Sequence, residues 1–265
     1  MQGQKQYRLG IALSGGGARG FAHAGALKAL AEANIKPDVL AGVSAGAVVA
    51  VMYGAGMGPE QIVEAFSGQA HRFSDFTRLS LGSPGLFNPA KFKRYVMGAI
   101  APVKTFEELS VDTYIGVTNL TTGQACEFHT GELADVMLAS CSIPIIFRPV
   151  EIDGDLYVDG GVLHNMPSWI LAGRCERLIG VNVSPVKGLG KRPRLSDVAL
   201  RSYQLMSKAS VPGDMELCDI RVEVPGLEAF STFGLKNIKQ IYINGYEAMK
   251  LALQDAGLWL NNIIV

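Results

Sequence analysis

Short, unbroken apolar runs alternate along this chain with longer stretches in which apolar residues recur every three to four positions. RLGIAL (8–13) is the first such run. It is too short for a helix and ends in glycines, which predicts a buried strand over Arg8–Leu13. Alanine and leucine at helical spacing then predict a helix from about Ala18 to Ala33, ended by Asn34 and Pro37. A second strand is predicted over Asp38–Ala41. GVSAG (42–46) follows it, and AVVAVMYGAG (47–56) predicts an apolar helix closed by Gly54 and Gly56. Strand, loop and helix, twice over, open a parallel α/β sheet.

Further along, PEQIVEAF (59–66) predicts a helix with Pro59 in its first turn. Residues 71–90 mix Phe, Leu, Gly and Pro without a period and read as irregular. KFKRYVMGAI (91–100) predicts a helix. DTYIGVTNL (112–120) and QACEFH (124–129) flank Thr121-Thr122-Gly123 as a hairpin. ELADVMLASC (132–141) predicts a helix stopped by Pro144. IIFRPVEI (145–152), DLYVDGG (155–161) and RLIGVNVS (177–184) are strand-like, and the basic stretch 186–194 is a loop. Residues 196–210 and 236–256 are helical in pattern. No repeat or long linker divides the chain, so a single domain over 1–265 is expected, with its motifs in 8–185 and the C-terminal helices of 196–256 in the same domain.

Composition narrows the partners. Apolar residues make up 48% of the 265, charged residues 18%, and the net charge is zero. A sizeable core is possible, and a general electrostatic affinity for nucleic acid is not expected. No apolar run approaches the ~18 residues of a membrane-spanning helix. The N-terminal residues do not read as a signal peptide. Cys126, Cys141, Cys175 and Cys218 are scattered, which fits reduced thiols and a cytoplasmic protein.

Candidate chemistry begins in GGGARG (15–20). Gly15, Gly17 and Gly20 match the dinucleotide fingerprint G-x-G-x-x-G. That reading also needs an acid at the end of the second strand. Asp38 has about the right count but stands at the strand's start, directly after Pro37. What occupies the strand's far end is Gly42-Val43-Ser44-Ala45-Gly46, the G-x-S-x-G nucleophile elbow. Gly42 and Gly46 give that turn room, and the helix after it sets its positive end beneath the serine. Adjacent parallel strands deliver both loops to one edge. The N–H groups of Gly15, Gly16 and Gly17 then face an oxyanion formed at Ser44, and Arg19 either adds charge or pins the loop.

A serine nucleophile needs a base. Of four histidines, His23 reads as a packing residue, His71 and His129 as solvated, and His164 as a competitor near DGGVLHN. Asp159, at the end of a strand and before Gly160-Gly161, is the other candidate. On that segment alone, base and ordinary Asp-Gly turn are equal readings.

GGGARG (15–20), GVSAG (42–46), GLF (85–87), ASCSIPIIFRPV (139–150) and DGGVLHNMP (159–167), in that order, resemble the patatin-like phospholipases, and most nearly the bacterial members related to neuropathy target esterase. The resemblance runs from Leu9 to about Pro185. It implies an α/β/α sandwich with a mostly parallel central sheet, a Ser44–Asp159 dyad, an oxyanion hole of Gly15, Gly16 and Gly17 with Arg19 beside them, and neither metal nor organic cofactor. His164 then becomes a bystander. Two residues depart from the pattern: Asn119 where aspartate is expected, and Ser142 where alanine is usual.

The expected reaction is two-step acyl transfer on lipid or other acyl-ester substrates, with any membrane contact peripheral. Phe73, Phe76, Leu79, Leu81, Leu86 and Phe87 form either a cover over the site or ordinary core. Lys91, Lys93, Arg94 and the run Lys187–Arg194 are candidates for meeting a headgroup. Two rival classes are a nucleotide-binding oxidoreductase, disfavoured by the place of Asp38, and a catalytically idle lipid-binding module. Acyl length, headgroup and oligomeric state are not readable from the sequence.

Overall fold

The computed structural model describes residues 6–67, 89–185 and 195–257. Its strands are β1 (Tyr7–Leu13), β2 (Val39–Val43), β3 (Asp112–Asn119), β4 (Gln124–Phe128), β5 (Val150–Ile152), β6 (Asp155–Asp159), β7 (Cys175–Asn182) and β8 (Ile220–Glu223). The helices are α1 (Phe21–Glu32), α2 (Ala45–Gly54), α3 (Pro59–Ser67), α4 (Pro89–Ala99), α5 (Leu133–Ser140), α6 (Ser168–Leu171), α7 (Leu195–Glu216) and α8 (Ile238–Asp255).

An 8-stranded sheet runs in the order β5-β6-β3-β2-β1-β7-β8, with β4 added to β3. β3, β2, β1, β7 and β8 are mutually parallel. β4, β5 and β6 run antiparallel to their neighbours, so the predominantly parallel sheet has one antiparallel flank.

Both faces of the sheet are covered, and the strands show why. Leu9, Ile11 and Leu13 of β1, Leu40 of β2 and Ile179 and Val181 of β7 turn to one face, into a core shared with α1, α2, α5 and α8. Ala12, Val39, Ala41 and Leu178 turn to the other, against Ile170 and Leu171 of α6 and Val211 and Met215 of α7. This is the period-two alternation of strands sandwiched between helical layers. α8 belongs to the first layer at backbone contact: a methyl group on Gly245 would fall 1.9 Å from the Ala22 carbonyl oxygen of α1. No helix among the described residues is long and apolar enough to cross a membrane.

Three differences from the sequence pattern have physical causes. The first helix starts at Phe21, not Ala18, because Gly17 adopts φ 61° and the chain makes a 3-10 turn over Gly17–Gly20. The strand expected over 145–152 shrinks to Val150–Ile152. Its apolar half is a turn, with Ile145 at φ 72°, that packs Ile146, beside the preceding Ile143, against Tyr203. β8 was unforeseen because its four residues are too few to show a period. Segments 71–88 and 186–194, with the six apolar residues of 73–87, the GLF motif and Lys187–Arg194, lie outside the described residues.

Candidate active site

Register brings the site together. Leu13 pairs with Gly42 on one side and Val181 on the other, so β1, β2 and β7 end level at one edge. The glycine loop, Ser44 and residues 183–185 therefore share that edge. β6 arrives in the opposite direction and runs back along β3, where Asp159 pairs with Val117. Val43 pairs with Gly116 in the same strand. The last residue of β6 thus comes within one step of the residue before Ser44, from a strand that no sequence spacing connects to it.

Ser44 sits at φ 53°, ψ −119°, a sparsely populated conformation for a residue with a side chain. Its surroundings hold it there. The Ser44 N–H donates to Ser140 Oγ at 2.8 Å, and the Ser140 hydroxyl donates to the Gly116 carbonyl at 2.8 Å. α2 begins at the next residue, so the positive end of its dipole lies under the serine. Gly46 has no room for a side chain, since a methyl group there would fall 2.1 Å from the Leu13 carbonyl oxygen. A methyl group on Gly15 would approach Ser44 Cβ to 3.2 Å. Glycine loop and elbow are thus in direct contact.

The loop's backbone donors divide into two kinds. The Gly15 N–H donates to the Asn165 carbonyl at 3.0 Å, and the Ala18 N–H to the Thr232 carbonyl at 2.7 Å. Between them, the N–H groups of Gly16 and Gly17 have no acceptor among the described residues. Arg19 is buried. Its guanidinium donates to the carbonyls of Pro185 (2.7 Å) and Phe230 (3.0 and 3.2 Å), so the pin is to main chain, with Glu228 supplying only a more distant attraction. His23 is wholly buried with Nε2 2.8 Å from the Ser14 carbonyl, and burial pushes its pKa down to about 4. It is a neutral post beneath the loop.

Asp159 is fully buried, and desolvation raises its pKa to about 6. The Gly161 N–H, which reaches Oδ1 at 2.9 Å, opposes that rise most, and the nearby hydroxyls of Ser44 and Tyr203 oppose it less. The Asp159 N–H donates to the Ser142 carbonyl at 3.0 Å, so the departure at Ser142 lies beside the base strand but acts through its main chain. The Ser142 hydroxyl is spent on Leu138, and Asn119 is spent on Asp155 and the Thr122 N–H.

The other candidates sit elsewhere. His164 binds Asp214 through Nδ1 at 2.9 Å, and it is absent from the residues lining the serine's cleft. His129 stacks on Tyr114. Asp38 accepts the N–H groups of Arg8 and Leu9 at the opposite end of β1, which removes the acid a dinucleotide would need beside the glycine loop. Lys93 pairs with Asp135. The cleft is open to solvent and is walled by the glycine loop, Ser44, Ile143, Asn165, Pro185, Thr232 and one face of α7. Ser140, Asn165 and Tyr203 were not foreseen as site residues. Only the i, i+4 spacing of Tyr203 and Ser207 on a predicted helix hinted at a shared face.

Residues 11–172 match the family pattern described as patatin-like phospholipase. An uncharacterized NTE family protein of Mycobacterium tuberculosis is 33% identical over 178 residues, 65% of this chain and 48% of that protein. A lysophospholipase, NTE1, of Chaetomium globosum is 31% identical over 163 residues, 60% of this chain and 11% of that one. Among solved structures, VipD from Legionella pneumophila superposes with a TM-score of 0.53 at 15% identity, over 94% of this chain and 67% of that one, a likeness of fold. The match spans more than half of the chain, which therefore belongs to the patatin-like phospholipase family. It covers about half the length of the mycobacterial relative.

Proposed function

We propose that the chain is a carboxylic ester hydrolase that cleaves fatty-acyl esters of lysophospholipids, phospholipids or related lipids through Ser44 and Asp159. The observation that carries this reading is the meeting, at one sheet edge, of a serine held at φ 53°, a buried carboxylate its hydroxyl acts upon, and a glycine loop with two unspent N–H groups. Asp159 takes the Ser44 proton as Oγ attacks the ester carbonyl. The N–H groups of Gly16 and Gly17 receive the oxyanion, while Gly15 and Arg19 hold the loop in place. The intermediate collapses, the alcohol leaves with the proton from Asp159, and the acyl group stays on Ser44. Water then attacks the acyl carbonyl and gives its proton to Asp159. The fatty acid departs and Ser44 Oγ takes that proton back.

Residues 1–265 act as one domain in this reading, which the packing of α7 and α8 on the same sheet supports. Contact with a membrane is peripheral and from the cytoplasm. Its support is the exposed Ile145 and Leu163, which adjoin in sequence the apolar cluster around Tyr203. The test is release of fatty acid from lysophosphatidylcholine, phosphatidylcholine vesicles and short-chain esters. Release by the natural chain and none by Ser44→Ala is expected. No release from any of them, with binding to the vesicles retained, would make the chain a lipid-binding module instead.

A further inference from the structure

α7 lies outside the residues that match the family pattern, yet it builds one wall of the cleft. Leu200, Tyr203, Gln204 and Ser207 line it together, the spacing of a single helical face. Tyr203 is buried against Ile143 and Ile146. The place of its hydroxyl is fixed by Gly161, the residue whose N–H holds Asp159 Oδ1. A methyl group on Gly161 would fall 2.4 Å from Tyr203 Oη, 2.8 Å from Asn165 Oδ1 and 3.1 Å from Ser207 Oγ. Two buried oxygens that act on that phenol are claimed by no well-formed hydrogen bond: Asp159 Oδ2 and Ser207 Oγ. Buried oxygens of this kind are uncommon, and one hydroxyl between them can serve both.

We propose that Tyr203 is a positioning residue for the base: its O–H donates to Asp159 Oδ2 while its oxygen accepts from the Ser207 hydroxyl, so that a buried relay from α7 fixes the carboxylate against Ser44. The catalytic meaning of this relay rests on the hydrolase reading above; the relay itself does not. Burial raises the phenol's own pKa well above its ordinary value, so Tyr203 remains a neutral donor whenever Asp159 is ionised. The other titratable group facing Asp159 is Cys141, at the end of α5, whose thiol burial likewise keeps protonated. Ser44 contributes a hydroxyl, and β3 brings Val117 as pairing partner. Tyr203 and Gly161 are thus the donors that keep the carboxylate ionisable while Ser44 is reacting.

The test is the midpoint of Asp159 itself, read by carboxyl carbon NMR on aspartate-labelled protein and assigned with Asp159→Asn. Loss of one donor to a charged group predicts that Tyr203→Phe raises the midpoint by about one pH unit. Ser207→Ala, which only weakens the phenol as a donor, raises it by less. An unchanged midpoint in Tyr203→Phe overturns the proposal, and if that variant does not fold, an unchanged midpoint in Ser207→Ala does so. These midpoints can be read whether or not the protein turns over. Failure of the hydrolase reading, seen as absent fatty-acid release by the natural chain, is therefore separate. Where turnover is present, the acidic limb of kcat/KM moves with the midpoint.

Discussion

Replacing Asp159 with asparagine is expected to make the protein inactive and, at neutral pH, more stable. The carboxyl is fully buried and its pKa rises from 3.8 to about 6 on folding. A raised carboxylate pKa means that the unfolded chain ionises more readily than the folded one. The associated stability is fully present below about pH 3.8 and is lost as pH rises through about 6. The loss at pH 8 is about 3 kcal/mol, from roughly two units at 1.36 kcal/mol each. Asparagine keeps the acceptor for the Gly161 N–H and carries no charge to desolvate. Natural and Asp159→Asn chains should therefore melt together at pH 4 and separate as pH rises. By pH 8 the variant should be higher by roughly 6–12 °C for a chain of this size. Scanning calorimetry from pH 4 to 8 reads this directly. A difference constant with pH, or a natural chain that melts higher at pH 8, would refute the reasoning that burial, and not packing, sets the cost.

Gly46→Ala should fail to give soluble folded protein, because its methyl group meets the backbone of β1 at 2.1 Å; expression and circular dichroism decide this. Ser140→Ala leaves the buried Ser44 N–H without an acceptor, so a loss of about 1–3 kcal/mol in urea unfolding, with slower turnover, is expected. His23→Gln should resist acid. The histidine's pKa falls to about 4 on folding, so protonation of the unfolded chain costs the natural protein up to about 3 kcal/mol between pH 6.5 and 4, and the variant, compared by urea unfolding at both pH values, is spared it.

The parallel half of the fold was legible because its strands are buried on both faces and its loops carry glycine. The continuous runs of β1 and β2, the alanine and leucine spacing of α1 and the wholly apolar α2 needed no tertiary knowledge. The Ser44 elbow was legible for the same reason: strand, tight turn and helix are local. Asp159 was not, on its own. Its partnership depends on β6 running backwards beside β3, a long-range pairing that leaves no mark in spacing, and the family resemblance supplied what periodicity did not. The run 145–149 misled because an apolar residue that packs from a turn, as Ile146 does against Tyr203, looks like an apolar residue in a strand. Tyr203 was invisible as a site residue because a helix pattern tells which residues share a face and not what that face meets. The division of the glycine loop into spent and unspent N–H groups likewise depends on Asn165 and Thr232, which are distant in sequence.

The central claim is that Ser44 is an activated nucleophile, and one measurement reaches it most directly. The purified chain is treated with a fluorophosphonate, digested, and the adduct located by peptide mass, beside Ser44→Ala and Asp159→Asn. A single adduct on Ser44, absent from the alanine variant and slowed in the asparagine variant, with labelling that declines below about pH 6, is the predicted result. No adduct, even with detergent present, or one on a different serine, would contradict the account.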